Sequence, residues 1–332
     1  MTVRDAHVLY MQAANEGRCS SKNVICRPIT IKTKLDIFKR DISSKIGKRL
    51  IHDIVEDDLV KIVEKKGNCA KVAANRLSAE LVTFFKWAAS LRGQEVGLSA
   101  DPSHRLKDLR FPEKPRSRNL TVSEMEWLLQ ALVEERVEFR RGILLLLLTA
   151  TRFSEVLFAK TEELQDGVWT IPAERSKNRC AHSIALGPWA KRLFRSGSDW
   201  LFPAALAERP CRQTWRLAWD RVVNRMIFMA DSKFTRITPH DLRRTFRTNS
   251  RKIGIDFETA EAMLNHSKDI LVRTYDQYDM ESEKALGFRL WEDEVLRIAR
   301  RCGVDEALEA PPEGIAEELS PQRSALEPSL DL

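Results

Sequence analysis

Tyrosine is scarce in this chain, with three in 332 residues, and two of the three, Tyr275 and Tyr278, fall in one short segment. Cysteine is sparse as well. The six (Cys19, Cys26, Cys69, Cys180, Cys211, Cys302) form no C-x-x-C and no spacing with histidine, which argues against structural zinc and for a reduced compartment. No apolar run approaches the roughly 20 residues of a membrane span. The longest, Ile143–Leu148, ends in polar residues and reads as a buried helix core. The opening MTVRDAHVLY has no basic-then-apolar secretory layout, so a cytoplasmic protein with no membrane partner is expected. Internal repeats are absent, and strand signals are confined to the middle of the chain.

What is present begins with charge. The net charge is +7, unevenly spread. Residues 304–332 hold eight acidic residues and one basic residue, leaving the preceding 303 residues at +14. A cationic body with a short acidic tail points towards nucleic acid as partner.

The length fits two domains better than one. Apolar residues at three- and four-residue steps predict helices over Val3–Asn15, Ile31–Lys45, Glu56–Lys66 and Cys69–Leu91, with Asn68 as N-cap of the last. In that last helix Val72, Leu77, Leu81, Phe84, Phe85 and Ala88 share one side. Lys32, Lys34, Lys39, Arg40, Lys45, Lys48 and Arg49 flank these helices as solvated faces, or as a surface for a nucleic-acid backbone. Three prolines and many charges between 101 and 119 read as a linker, whose Arg110, Lys114, Arg116 and Arg118 would suit phosphates. Thr121-Val-Ser-Glu124 is a capping-box pattern opening a helix to about Glu135, followed by a buried helix Phe139–Thr149. Strands are predicted at Val168–Ile171, after the turn Gln165-Asp166-Gly167, and at Ser183–Leu186. Helices resume from Gln213 to about Arg301, and the acidic, proline-containing stretch 304–332 reads as a disordered tail. The fold class is therefore mainly α with a small antiparallel β-sheet.

The segment from Pro239 gathers His240 and Arg243 as H-x-x-R, then His266, then Tyr275 nine residues later. A phenol with pKa near 10 is a poor nucleophile unless its charge is managed. Attack on a phosphodiester also builds charge on the non-bridging oxygens, which arginine holds by bidentate hydrogen bonds. Such a site wants two arginines. Arg243 is one, and Arg152, in TATRFSE after the apolar helix, is the natural second. Glu155, one turn on, is placed to orient a cation.

These residues resemble those of the tyrosine recombinases of the phage integrase type. LLLLLTATRFSEVLFAK resembles the family's first arginine motif, PHDLRRTFRT its H-x-x-R motif and LNHSKDILVRTY its histidine-to-tyrosine motif. Ser176-Lys177-Asn178 resembles the hairpin loop that carries its lysine. The resemblance implies a helical core-DNA-binding domain at 1–108, an interdomain linker at 109–119, a mixed α/β catalytic domain at 120–303 and the acidic tail at 304–332. It implies Tyr275 as nucleophile, with Arg152, Arg243 and His266 on the phosphate oxygens. Lys177 would protonate the leaving 5′ oxygen, His240 would assist proton transfer or phosphate contact, and Glu155 would support them. No metal, ATP or other cofactor is implied. The implied partner is double-stranded DNA, held in a two-domain clamp by a homo-tetramer in the synaptic complex, with room for accessory DNA-bending factors. A topoisomerase-like nicking and resealing enzyme, or a DNA-binding regulator that has lost recombination, are the alternatives.

Two positions depart from the family pattern, Ala150 and Asn265, where glycine is usual. Tyr278 is expected to be packed, His182 to lie on a strand surface, and Trp215 and Trp219 to be core. Arg244 and Arg247 would touch phosphates or solvent. His7, His52 and His104 have no partner that the sequence names. The helix Glu281–Arg301 would either pack in its own core or dock on a neighbouring subunit.

Overall fold

The computed structural model describes residues 1–19, 23–204, 209–230, 234–266 and 278–309. It divides into two compact units, Met1–Arg116 and Ser117 onwards. No helix among the described residues is long and apolar enough to cross a membrane.

The first unit is helical. Helix α1 (Val3–Asn15) starts in a reciprocal capping box. The Asp5 amide donates to the Thr2 hydroxyl, and the Thr2 amide donates to the Asp5 carboxylate at 3.0 Å. Helix α2 (Pro28–Ile37) begins three residues before the predicted start, because proline at its first turn fixes a helical φ and needs no N–H partner. A π turn (Phe38–Ile42) joins it to α3 (Ser43–Ile46). Helices α4 (Glu56–Gly67) and α5 (Lys71–Ala88) complete the unit. Asn68 closes α4 rather than opening α5, whose N-cap is Ala70. The core is built on Tyr10, Ile42, Leu59, Leu77, Phe84 and Phe85, while Val72, predicted on the same stripe, is exposed.

One member of the predicted basic face turns inward. Lys34 is buried, and its Nζ donates to Glu80 at 2.7 Å and to the Tyr10 hydroxyl at 2.6 Å. Arg40 and Arg49 pair with Asp41 and Asp58. His7 is buried too, stacked on Phe38 with centroids 3.7 Å apart. Part of the predicted linker is anchored: the Phe111 amide donates to the Asn75 Oδ1 at 2.9 Å, and the Asn75 Nδ2 donates back to the Phe111 carbonyl at 2.9 Å.

In the second unit, Thr121 and Glu124 form the predicted capping box of α6 (Val122–Val133). Arg118 does not lie free for phosphates. It grips the Glu124 carboxylate and the Thr235 carbonyl instead. Helix α7 (Val137–Thr149) buries Ile143–Leu148 at the centre of the core. It is followed by α8 (Phe153–Leu157) and a three-stranded antiparallel sheet in the order β1 (Leu164–Gln165), β2 (Val168–Ile171), β3 (His182–Ala185). Asp166 and Gly167, with φ of 49° and 82°, make the tight β1–β2 turn that positive φ at both central residues requires. The short β1 was not legible because two residues carry no periodicity.

Helices α9 (Pro188–Leu193), α10 (Arg212–Met229), α11 (Pro239–Asn249), α12 (Phe257–Met263), α13 (Glu281–Arg301) and α14 (Asp305–Glu309) follow. Trp215 and Trp219 are core, as predicted. Helix α13 packs within its own unit: Phe288, Trp291, Val295 and Ile298 are buried, and the Trp291 Nε1 donates to the Leu147 carbonyl at 2.8 Å. The Glu292 carboxylate accepts from the amides of Trp189 and Ala190 at 3.0 and 2.9 Å. The stretch read as tail opens with α14, which buries Leu308 in the same core.

Ala150 ends α7 in the left-handed region, at φ 50°. A Cβ there meets the following carbonyl, a cost of roughly 1–2 kcal/mol, offset in glycine by the freer unfolded chain. Ala150→Gly is therefore expected to stabilise the second unit by about 0.5–1 kcal/mol. A rise in its urea midpoint checks this.

Candidate active site

Arg152 and Arg243 meet at the ends of α7 and α12, beside α11 and the β2–β3 loop. Arg152 is the N-cap of α8. Its amide donates to the Glu155 carboxylate at 2.8 Å, its Nη1 to the same carboxylate at 3.0 Å, and its Nη2 to the Asn265 carbonyl at 3.3 Å. Glu155 is buried beneath it. Arg243, on α11, is 3% exposed and donates to the Ala150 carbonyl at 2.9 Å and to the Leu264 carbonyl. Both carbonyls belong to helix ends, which have no helical donor to spare. The two guanidiniums are thus held by backbone at the ends of two helices, α7 and α12. Burial, then the charge of Arg152, lowers the Arg243 pKa to about 10, so it stays cationic near neutrality.

Asn265 also stands in the left-handed region, at φ 46°. Helix α12 ends in a Schellman motif around it: the His266 amide bonds the Glu261 carbonyl at 3.1 Å, and the Asn265 amide bonds the Ala262 carbonyl at 2.9 Å. Asparagine tolerates this conformation better than most residues. Here it also contributes a side chain, which donates to the Ser176 hydroxyl at 3.1 Å, while its carbonyl accepts from the Asn178 side chain. Asn265 therefore ties the β2–β3 loop to Arg152. The sequence flags it only as a missing glycine, and its part in holding the loop is not legible from spacing. Lys177, between Ser176 and Asn178, is exposed at the loop tip.

His240 is exposed at the first turn of α11, three residues before Arg243. Partial burial, then the charges of Arg244 and Arg243, lower its pKa. His266 is half exposed, and its Nδ1 lies 2.6 Å from the Glu261 carboxylate. Arg247 bonds the other oxygen of Glu261 at 2.5 Å, and Arg244 bonds Asp241 at 2.7 Å, so both are engaged by carboxylates. Tyr275 lies outside the described residues. Tyr278, expected to be packed, is 59% exposed, and its hydroxyl donates to Glu283 at 2.8 Å. Among the described residues no cluster of three or more His, Cys, Asp or Glu side chains is arranged to hold a metal ion.

His182 departs most from expectation. It is 4% exposed, and neither ring nitrogen has a well-formed hydrogen bond. The predicted strand started one residue late; counted from Ile184, which faces the core, the two-residue period puts His182 on the same face. Burial, then the charges of Lys284, Arg243 and Arg152, lower its pKa to about 3, only weakly opposed by the Met263 backbone. The unfolded chain therefore takes up a proton near pH 6.5 that the folded chain refuses. Stability is full above about pH 6.5 and declines as the pH falls, by about 1.4 kcal/mol per unit for one proton. His182→Leu is expected to flatten this slope between about pH 6.5 and 5. Urea midpoints at both ends of that window measure it. His7, whose burial lowers its pKa to about 4, and His240, whose pKa is also lowered, contribute to the slope that is left.

An arginine pair beside a lysine-bearing loop, on a helical unit with one small sheet, is the frame of a tyrosine recombinase catalytic domain. Residues 118–282 match the model of the phage integrase family, and the chain belongs to that family. It is 29% identical over 227 residues to prophage integrase IntZ of Escherichia coli K12, covering 65% of this chain and 54% of that one. It thus spans about half the length of that relative. It is 25% identical over 232 residues to tyrosine recombinase XerD of Proteus mirabilis, covering 64% of this chain and 70% of that one. Among solved structures, a lambda integrase (75–356) dimer bound to a COC′ core site superposes with TM-score 0.62 at 17% identity, over 82% of this chain and 97% of that one. A lambda integrase tetramer bound to a Holliday junction gives 0.63 at 15% identity, over 81% and 79%. The Tn1549 transposon integrase with transposon right end DNA gives 0.59 at 17% identity, over 87% and 99%.

Proposed function

We propose that this chain is a site-specific DNA recombinase that cleaves and rejoins double-stranded DNA through a 3′-phosphotyrosyl intermediate. The Tyr275 hydroxyl gives up its proton, with His240 assisting the transfer, as its oxygen attacks the phosphorus. The P–O5′ bond breaks, and the 5′ oxygen leaves as a hydroxyl with a proton from Lys177. Arg152, Arg243 and His266 hold the non-bridging oxygens, His240 assists, and Glu155 keeps Arg152 in place. One phosphoester replaces another, so the step reverses without ATP. The observation that carries this reading is the arginine pair. Two guanidiniums from distant parts of the chain are fixed by the carbonyls of Ala150, Leu264 and Asn265. Donors fixed in advance stabilise developing charge without reorganising during the reaction. The exposed Lys177 on a loop suits a residue that must move in to its proton acceptor.

Family membership and the structural relatives, one of them a tetramer on a Holliday junction, support duplex DNA as substrate and a tetramer as the working assembly. The test is strand exchange between two duplexes carrying sequence from the DNA flanking this protein's own coding region. Recombinant products support the reading. Relaxation of supercoiled DNA without exchanged products would replace it with a nicking and resealing enzyme. Binding to the same duplex is expected to weaken linearly in log salt, by roughly 10³-fold or more between about 50 and 200 mM if six or more phosphates are contacted. A gel-shift titration reads it, and salt-independent affinity would count against a cationic DNA surface.

A further inference from the structure

Glu261 belongs to none of the motifs that identify this chain, yet it is built against His266 in two ways. The Schellman turn at Asn265 folds the chain back, so that the His266 amide bonds the Glu261 carbonyl. The same fold brings the side chains together, with His266 Nδ1 2.6 Å from Glu261 Oε2. The other carboxylate oxygen, Oε1, is occupied by Arg247 Nε at 2.5 Å, and the Arg247 guanidinium lies over the Phe257 ring at 4.4 Å from its centroid. Burial works against the charged form of Glu261, but the hydrogen bonds from Arg247 and His266 outweigh it and hold its pKa below the usual range. An ionised carboxylate only accepts, so Nδ1 must be the donor.

We propose that Glu261 is a positioning residue that holds one proton of His266 on Nδ1 and turns Nε2 towards the scissile phosphate, so that the doubly protonated ring donates from Nε2 to a phosphate oxygen. The inference rests on the recombinase reading for the substrate, but the pairing itself does not. In an imidazole the two nitrogens lie on opposite sides of the ring, so a ring tied at Nδ1 to the end of α12 has its direction and its tautomer set together. Arg247 completes the device: a pure donor on Oε1 keeps the carboxylate from rotating away and leaves Oε2 to the histidine.

The test uses an isosteric change. In Glu261→Gln only one oxygen remains, and Arg247, which cannot accept, claims it. The amide NH₂ then faces Nδ1 and drives the proton to Nε2. In the double variant Arg247→Met with Glu261→Gln, the amide turns, its oxygen meets Nδ1, and the original tautomer returns. Long-range ¹H–¹⁵N correlation spectra of the histidine side chains of the full chain, recorded where His266 is neutral, read the tautomer directly. The expected pattern is Nδ1–H in the wild type, Nε2–H in Glu261→Gln and Nδ1–H again in the double variant. Phosphotyrosyl adduct formation on a nicked duplex should follow it. In Glu261→Gln the amide NH₂ leaves Nδ1 without an acceptor, so the ring can donate only as a neutral Nε2–H and not as an imidazolium. A mis-set histidine in a fully buried catalytic triad costs about 10⁴-fold, and at this half-exposed ring a smaller loss of about tenfold or more is expected, with recovery in the double variant. Nε2–H in the wild type, or a tautomer unmoved by Glu261→Gln, overturns the inference. Equal adduct loss in both variants also overturns it, because a merely structural role gives no recovery. If the wild type forms no adduct at all, the recombinase reading fails, while the spectra still decide the pairing.

Discussion

Arg243→Lys is expected to lower covalent cleavage by about 10²- to 10³-fold, the scale of losing one preorganised donor from a charge-stabilising site. The size follows from what the guanidinium does. One face of it spans the Ala150 and Leu264 carbonyls, which stand at the ends of different helices. A single ammonium cannot bridge both and still reach a phosphate oxygen, and it lacks the planar fork that matches one. Leaving a buried carbonyl unpaired costs about 1–3 kcal/mol, so a fall in stability accompanies the loss of cleavage. The two effects separate by assay. Cleavage measured well below the unfolding midpoint should remain deficient, whereas a purely structural arginine would give normal cleavage there.

Glu80→Ala is expected to destabilise the first unit by about 3–5 kcal/mol, because it leaves the buried Lys34 ammonium without its carboxylate. Burial raises the Glu80 pKa even with the Lys34 charge opposing it, so the pair does not recover the cost of leaving water. The double replacement Lys34→Met with Glu80→Leu is therefore expected to be neutral or stabilising, by up to about 4 kcal/mol. Urea unfolding of the single and double variants checks both signs. A mild effect of Glu80→Ala would mean that water reaches Lys34.

Much of this was legible in the sequence because the signals were periodic or paired. Val3–Asn15 follows from its apolar spacing, and Thr121 with Glu124 from a capping pattern that both side chains fulfil. Arg152, Arg243 and His266 were found as motif residues, and the structure gathers them around α7, α11 and α12. What escaped depends on contacts far apart in the chain. Lys34 read as surface because lysine is seldom buried, and only Glu80, 46 residues away, makes its burial tolerable. His182 read as surface because the strand was started after it, so that its place two residues before Ile184, on the core face, went uncounted. Asn265 was noticed as a departure from glycine, while its grip on Ser176 across the site needed the fold to bring the two together. Tyr278 is scarce in kind and near in sequence to Tyr275, yet it stands in the open on Glu283.

The central claim is that one tyrosine of this chain becomes joined to DNA. Incubating the protein with a nicked, labelled duplex and then denaturing it tests that most directly. The account predicts a protein–DNA adduct in the wild type and in Tyr278→Phe, and none in Tyr275→Phe. An adduct that survives Tyr275→Phe, or none in the wild type despite salt-sensitive binding to the same duplex, would contradict it.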